Sequence, residues 1–142
     1  MKKRSTELAQ AGLVGAGIVA FLLTIPAAMS AQPDIPTGAG ISSWVENGSG
    51  GKYTLQILEG TLPAAGQSVT AKVLTDTDCA PDEEGINHCR NEIELSDGSK
   101  LTGIDNHRMS ANRCLRPGEE VTVSMLTDGW ATVLVKDAEK VD

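Results

Sequence analysis

The sequence predicts an all-β domain, a small barrel or sandwich of five or six strands, placed after an N-terminal signal or anchor segment. Apolar residues in the second part of the chain recur at every second position, and no window there has the 3.6-residue period of an amphipathic helix. Turns rich in Gly, Pro and Asp separate these short alternating segments. The length of 142 residues suits one folded domain of this kind.

Residues 1–31 have the pattern of a targeting segment. Lys2, Lys3 and Arg4 precede a long apolar run, and small residues follow it, as in a secretory signal peptide. The uncharged stretch 8–33 is also long enough to cross a bilayer, so an uncleaved membrane anchor or tether is the alternative. Both interpretations place the rest of the chain outside the cytoplasm, as a secreted, periplasmic or cell-surface protein.

Residues 32–51 are expected to form a flexible linker. They are rich in Pro, Gly and Ser, which contribute little to a buried core. Trp44 is the exception, and it is expected to dock on the domain that follows. Asn47 begins an Asn-Gly-Ser triplet that matches a glycosylation sequon, but such triplets are common by chance in linkers of this composition.

The β domain is predicted to occupy residues 52–142. Four segments alternate apolar and other residues, as strands with one buried face do. The size expected for such a domain is that of OB-like or SH3-like barrels. The predicted inward-facing residues are Tyr53, Leu55, Ile57, Val69, Ala71, Val73, Val121, Val123, Met125, Ala131, Val133 and Val135.

Two hairpins are predicted from the repeated pattern Leu-Ser/Thr-Asp-Gly. A type I turn followed by a left-handed glycine gives a three-residue loop with a bulge. In the first hairpin this loop pairs Leu95 with Ser99, so that Ile93 faces Leu101 on the inner side. Glu94 then faces Lys100 as a cross-strand ion pair.

The second hairpin is predicted to pair Leu126 with Trp130. This register places Val133 opposite Val123, both on the inner side. A two-residue Asp-Gly turn would change the parity and mix apolar with polar residues across the strands, so the three-residue loop is preferred.

The charge of the chain limits its partners. The formal net charge is −7 at neutral pH, and without the first thirty residues 9 basic and 18 acidic residues remain, for a charge of −9. Such a domain would be repelled by nucleic acids and by anionic membrane surfaces. A protein partner at the cell envelope remains compatible with this charge.

Three cysteines, Cys79, Cys89 and Cys114, lie in the exported part of the chain. An oxidising compartment favours one disulfide and one remaining thiol. All three pairings stay open, and Cys79–Cys89 is favoured because these residues flank one polar loop between two predicted strands.

A group of soft ligands lies at the two ends of the first hairpin. Imidazole, thiolate and thioether together suit copper or zinc, with copper preferred. The hairpin parity places Cys89 and His107 on the inner side, and His88 with Asn106 on the other. The sequence therefore predicts a transition-metal site drawn from His107, Met109, Cys89, Cys114 and His88.

Other site classes are disfavoured. No phosphate-binding loop, nucleophile elbow or zinc-protease motif occurs in the sequence. The acidic loop around Cys79 lacks the spacing of an EF-hand calcium loop. The predicted function is therefore an exported, non-catalytic β domain that binds a transition metal, and the alternative is a disulfide-stabilised structural or protein-binding module at the cell surface without metal.

Overall fold

The computed structural model describes Gly17 and residues 32–137, and the predicted signal or anchor segment lies outside these residues apart from Gly17. The described part forms a closed antiparallel barrel of six strands, which confirms the predicted all-β class and the small barrel. Among the described residues, no helix is long and apolar enough to cross a membrane. The strands are β1 Lys52–Glu59, β2 Ser68–Thr77, β3 Asn87–Leu95, β4 Lys100–His107, β5 Glu120–Thr127 and β6 Trp130–Val135.

Neighbouring strands around the barrel follow the order β1-β4-β3-β2-β5-β6, and β6 closes the sheet on β1. Nine of the twelve predicted inward residues lie in the core, and Ile57 and Val69 pack against it half-buried, whereas Met125 is half-buried outside it. Tyr53, Leu55, Val73, Val123 and Val133 are almost fully buried in one core. Burial of this apolar surface supplies the main driving force for folding.

The first hairpin has the predicted register. Ile93 pairs with Leu101 and Glu94 with Lys100 along the backbone. The predicted ion pair between Glu94 and Lys100 is not formed, because the long lysine side chain reaches the diagonal neighbour instead: Lys100 Nζ lies 3.3 Å from Glu92 Oε1. The backbone N–H of Leu95 donates to the carbonyl oxygen of Ser99 at 2.8 Å. Gly98 has a φ of 86°, the left-handed conformation that the predicted turn requires.

The second hairpin differs from the prediction at its turn. Thr127, not Leu126, pairs with Trp130, so Asp128 and Gly129 alone form the loop. A register shift between Met125 and Thr127 makes Leu126 an extra residue in β5. This bulge restores the parity that a two-residue turn would have changed. The predicted inner pair of Val123 and Val133 is therefore retained.

The segment 32–51, expected to be a flexible linker, packs against the barrel. Trp44 is 3% exposed and stacks on Trp130 with ring centroids 5.7 Å apart. Asn47 is 1% exposed and lies between two short 3-10 helices, Trp44–Glu46 and Ser49–Gly51. A Ser43–Glu46 capping box orders the first of these helices. The predicted docking of Trp44 thus extends to much of the segment, and the buried Asn47 is not available as a glycan acceptor in the folded chain.

Candidate functional site

The interior of the barrel has one apolar half and one polar end. On β3 the inward residues run from Cys89 and Asn91 to Ile93 and Leu95, and all four are buried. On β4 the order is reversed, because the strands are antiparallel. Leu101 lies in the apolar half, whereas Asp105 and His107 lie at the polar end. The hairpin register therefore gathers the chemically distinctive side chains at one end of the barrel.

Cys79 and Cys89 form a disulfide, as the sequence favoured. Cys79 lies two residues after the end of β2, and Cys89 lies two residues into β3. The loop between them is closed by its own hydrogen bonds, since the Asp82 carboxylate accepts from the backbone N–H groups of Glu84 and Ile86 at 2.9 and 3.0 Å. The bridge thus joins the end of one strand to the start of its neighbour across a polar surface loop.

Cys114 is the free cysteine of the described chain, and it lies beside this disulfide. The connection between β4 and β5 carries it there. Leu115, fully buried in the core, anchors this connection. The Tyr53 hydroxyl donates to the carbonyl oxygen of Arg113 at 2.6 Å and fixes the preceding residue. Cys114 itself is half-buried, with its thiol at the polar end of the barrel.

Four potential metal ligands meet at this point. The Sγ atoms of Cys79, Cys89 and Cys114 and a carboxylate oxygen of Asp76 all lie within 4.8 Å of one another. Asp76 is held by Asn91, whose side-chain amide donates to Asp76 Oδ1 at 2.9 Å. The other carboxylate oxygen, Asp76 Oδ2, lies 3.7 Å from Cys79 Sγ. We refer to these four residues as the cysteine cluster.

The surroundings keep the Cys114 thiol protonated near neutral pH. Burial raises the pKa of Cys114 to about 11, and the carboxylates of Asp76 and Asp105 contribute in the same direction. Desolvation and neighbouring negative charge both disfavour a thiolate. A bound cation would reverse this balance, because it would supply the positive charge that the cluster lacks.

Asp105 and His107 form a buried pair at the same polar end of the barrel as the cysteine cluster. His107 Nδ1 lies 3.2 Å from Asp105 Oδ2, and neither side chain is exposed. This is an ion-pair distance without the angles of a directed hydrogen bond, and neither ring nitrogen of His107 has another hydrogen-bond partner in the described chain. The His107 ring meets Tyr53 edge to face, with centroids 6.2 Å apart. The other Asp105 oxygen accepts from the Asn47 amide at 3.1 Å.

Burial and the attraction between Asp105 and His107 shift the pKa values of the two groups in opposite directions. Burial raises the pKa of Asp105, although His107 opposes the shift. Burial alone would lower the pKa of His107, but the neighbouring Asp105 outweighs it and the pKa of the imidazole is raised. The imidazole therefore holds its proton to higher pH than an exposed histidine would.

His88 lies in a different network, on the outer face of β3. Its Nε2 contacts Asp82 Oδ2 at 3.0 Å, and its Nδ1 hydrogen-bonds to the side chain of Asn106 on β4. His88 and Asn106 thus share the face that the parity predicted. Met109 follows β4 and is 46% exposed, with its backbone N–H donated to Asn87 Oδ1 at 3.2 Å.

Two of the five predicted metal ligands, Cys89 and Cys114, therefore lie together in the cysteine cluster. His107 is engaged with Asp105, and His88 with Asp82. Nothing in the sequence singles out Asp76, which precedes the acidic loop and lies near the end of β2. Its pairing with Asn91 across β2 and β3 turns it toward the cluster, and the bulge between Val73 and Thr75 that sets this pairing has no evident sequence pattern.

Chemically, the cysteine cluster can exist in two forms. With the disulfide closed it offers one protonated thiol and one carboxylate. With the disulfide reduced it would offer three thiols and a carboxylate, a ligand set suited to soft cations. Comparisons of the chain with known protein families, with characterised proteins and with solved structures found no match.

Proposed function

We propose that this chain is an exported, non-catalytic β-barrel domain that binds a soft transition-metal ion, with Cu(I) preferred, through its reduced cysteine cluster. Cys79, Cys89 and Cys114 supply the thiolates, and Asp76 lies beside them as a further oxygen ligand. The observation that carries the proposal is the convergence of these four ligand atoms within 4.8 Å, from three separate parts of the chain.

The choice of metal follows from the donor atoms. Thiolates are soft ligands that select Cu(I) and Zn²⁺ over Mg²⁺ and Ca²⁺, which require oxygen-rich sites. A cluster with three sulfurs and a single carboxylate is poor in oxygen. The acidic loop 78–85 raises the local concentration of every cation, but it does not select among them.

The disulfide makes this proposed site dependent on redox state. Opening Cys79–Cys89 takes two electrons and two protons, which a dithiol reductant would supply. The metal would then displace protons from the thiols as it binds. In the oxidised protein Cys114 is the remaining sulfur ligand of the cluster, so the oxidised form is expected to bind Cu(I) far more weakly.

Location and partners form part of the same proposal. A disulfide in a small domain is typical of oxidising compartments, which agrees with the targeting pattern of residues 1–31. We assign the domain to the secreted, periplasmic or cell-surface space, with a tether through residues 8–33 if the segment is not cleaved. The acidic charge argues against nucleic acid as a partner.

Competition titration with Cu(I) tests the metal site. The protein is reduced under anaerobic conditions with a phosphine, which is then removed by gel filtration because phosphines themselves bind Cu(I), and the protein competes for Cu(I) with a coloured chelator. We expect one equivalent to bind to the parent. Cys114→Ser should lower the affinity by about ten-fold or more, because one of three sulfur ligands is lost. The oxidised parent should not compete with the chelator.

Met109→Leu serves as the matched control. Met109 is exposed, so this change should leave the fold intact, and it removes a soft ligand outside the cysteine cluster. Affinity equal to the parent supports the cysteine cluster as the site. Loss of binding in Met109→Leu with retention in Cys114→Ser would overturn this ligand set in favour of His107 and Met109.

The metal-free alternative is favoured by the disulfide itself, which ties β2 to β3 without any ion. In that case the domain acts as a structural or protein-binding module at the cell surface. Reduced parent that binds no Cu(I) above the chelator background would leave this alternative as the function to pursue.

A further inference from the structure

The third sulfur beside the disulfide has a consequence that does not involve metal. Cys114 Sγ lies within 4.8 Å of both sulfurs of the Cys79–Cys89 bridge. A thiol held within 4.8 Å of a disulfide needs only a small movement to reach the separation for attack, about 3–3.5 Å, so its effective concentration is far above that of any thiol in solution.

We propose that the disulfide exchanges within the molecule, so that Cys114 replaces Cys79 as the partner of Cys89. The product has a Cys89–Cys114 bridge and a free Cys79 thiol in the surface loop. This inference concerns the same cysteines as the proposed metal site but does not depend on metal binding.

The exchange is balanced without an external oxidant or reductant. The Cys114 thiol, protonated at rest, gives its proton to the neighbouring Asp76 carboxylate as its Sγ attacks Cys89 Sγ and forms a new S–S bond. The old S–S bond breaks, and its electron pair leaves on Cys79 Sγ. The proton lost by Cys114 is gained by Cys79, and Asp76, which lies near both sulfurs, is placed to carry it between them.

Burial decides which sulfur leaves. Cys89 is 0% exposed near the start of β3, on its inner face, whereas Cys79 is half-buried in the loop after β2. A thiolate released at Cys89 would form in a dry environment beside the buried Asp105, its direct partner on β4. A thiolate released at Cys79 can reach water, so attack at Cys89 with departure of Cys79 is favoured.

The exchange would also change what holds the loop. Before the exchange, the Cys79–Cys89 disulfide joins the loop 78–85 covalently to the start of β3. After it, the loop is held by hydrogen bonds alone, among them those from the Gln32 amide to Asp82 at 3.0 Å and to Glu84 at 2.7 Å. The reactive thiol would then lie on a surface loop, accessible to a second protein with a cysteine or disulfide.

The positions of Lys and Arg make the two isomers easy to distinguish. Trypsin places Cys79 and Cys89 in one peptide, residues 73–90, and Cys114 in another, residues 114–136, since the bond between Arg116 and Pro117 resists cleavage. The original disulfide is therefore internal to one peptide. The exchanged disulfide links two peptides and has a distinct mass.

The experiment uses the purified, non-reduced full chain with a chelator present to remove metal. The protein is incubated, its thiols are blocked with N-ethylmaleimide under mildly acidic denaturing conditions, and the digest is analysed by mass spectrometry. We expect linked peptides 73–90 and 114–136 with the maleimide on Cys79, at about ten-fold or more above the level in Cys114→Ser, which cannot form them.

A second variant keeps the inference testable if the exchanged form is a minor species. In Cys79→Ser, mild oxidation should close Cys89–Cys114 within the monomer. The inference is overturned if the parent shows no linked peptide above the Cys114→Ser background and Cys79→Ser keeps two thiols or forms dimers. Linked peptide with the maleimide on Cys89 instead would overturn the assigned direction. Because metal is absent throughout, none of these results depends on the outcome of the copper titration.

Discussion

Asn47→Ala should destabilise the protein strongly, although the sequence places Asn47 in an apparent linker. Its side-chain oxygen accepts from the Thr54 backbone N–H at 2.7 Å. Its amide donates to the carbonyl oxygens of Thr54 and Asn106 and to Asp105 Oδ1, at 3.1, 2.8 and 3.1 Å. Asn47 therefore ties the N-terminal segment to both β1 and β4 at the polar end of the barrel.

The magnitude follows from the groups that the substitution leaves without partners. The Thr54 N–H would be buried and unsatisfied, which costs about 1–3 kcal/mol, and the buried Asp105 carboxyl would lose its donor at a similar cost. The two carbonyl oxygens lose less, because each has further acceptor capacity. We expect a loss of about 3 kcal/mol in the free energy of unfolding.

Urea denaturation followed by tryptophan fluorescence measures this loss. Trp44 lies in the segment itself and stacks on Trp130, so the signal reports both the segment and the barrel. A loss of about 3 kcal/mol should move the midpoint by about 2 M urea. Ser49→Ala, in the same segment but exposed, is the control and should stay within about 0.5 kcal/mol of the parent. If Asn47→Ala behaves like this control, the packing described for the segment is wrong.

Three further predictions concern other parts of the barrel. In the same denaturation assay, Gly60→Ala should lower the free energy of unfolding by about 3 kcal/mol and Gly98→Ala by about 1 kcal/mol. Both glycines have positive φ, but a Cβ at Gly60 would lie 2.4 Å from the Lys100 carbonyl oxygen, whereas a Cβ at Gly98 would face open space. Equal losses in the two variants would contradict this explanation. Because the folded state raises the pKa of His107, protonated His107 stabilises the fold fully below the ordinary histidine pKa of 6.5, and this stabilisation is lost as the pH rises through the folded pKa. The free energy of unfolding should therefore fall above about pH 6.5, and this fall should be smaller in His107→Gln. Freshly purified, denatured, non-reduced protein should be alkylated at one cysteine, mainly Cys114; three alkylated cysteines would show that the disulfide is absent.

The barrel could be predicted from the sequence because its cause is local. Apolar residues with a period of two face a single core, and the turn residue Gly98 fixes the register of the first hairpin. That register alone was enough to place Cys89 and His107 inward. The favoured disulfide followed from the short polar loop between two strands, a local relation as well.

The features that could not be predicted depend on contacts distant in sequence. Asn47 is a polar residue in a Gly-rich segment, and its burial arises only when β1 and β4 meet beside it. The bulge at Leu126 changes the length of the turn but leaves the same residues on the inner face, so the hydrophobic pattern of the sequence does not indicate it. The position of Asp76 likewise depends on a bulge in β2, and nothing local in the sequence distinguishes it from the carboxylates of the loop that follows.

The most direct test of the proposed function is X-ray absorption at the copper edge on reduced parent loaded with one equivalent of Cu(I). The spectrum counts the sulfur and imidazole neighbours of the metal without reference to affinity. The cysteine cluster predicts three sulfur neighbours, no imidazole, and loss of one sulfur in Cys114→Ser. Imidazole scattering from His107 or His88, or a spectrum unchanged in Cys114→Ser, would contradict the proposed site.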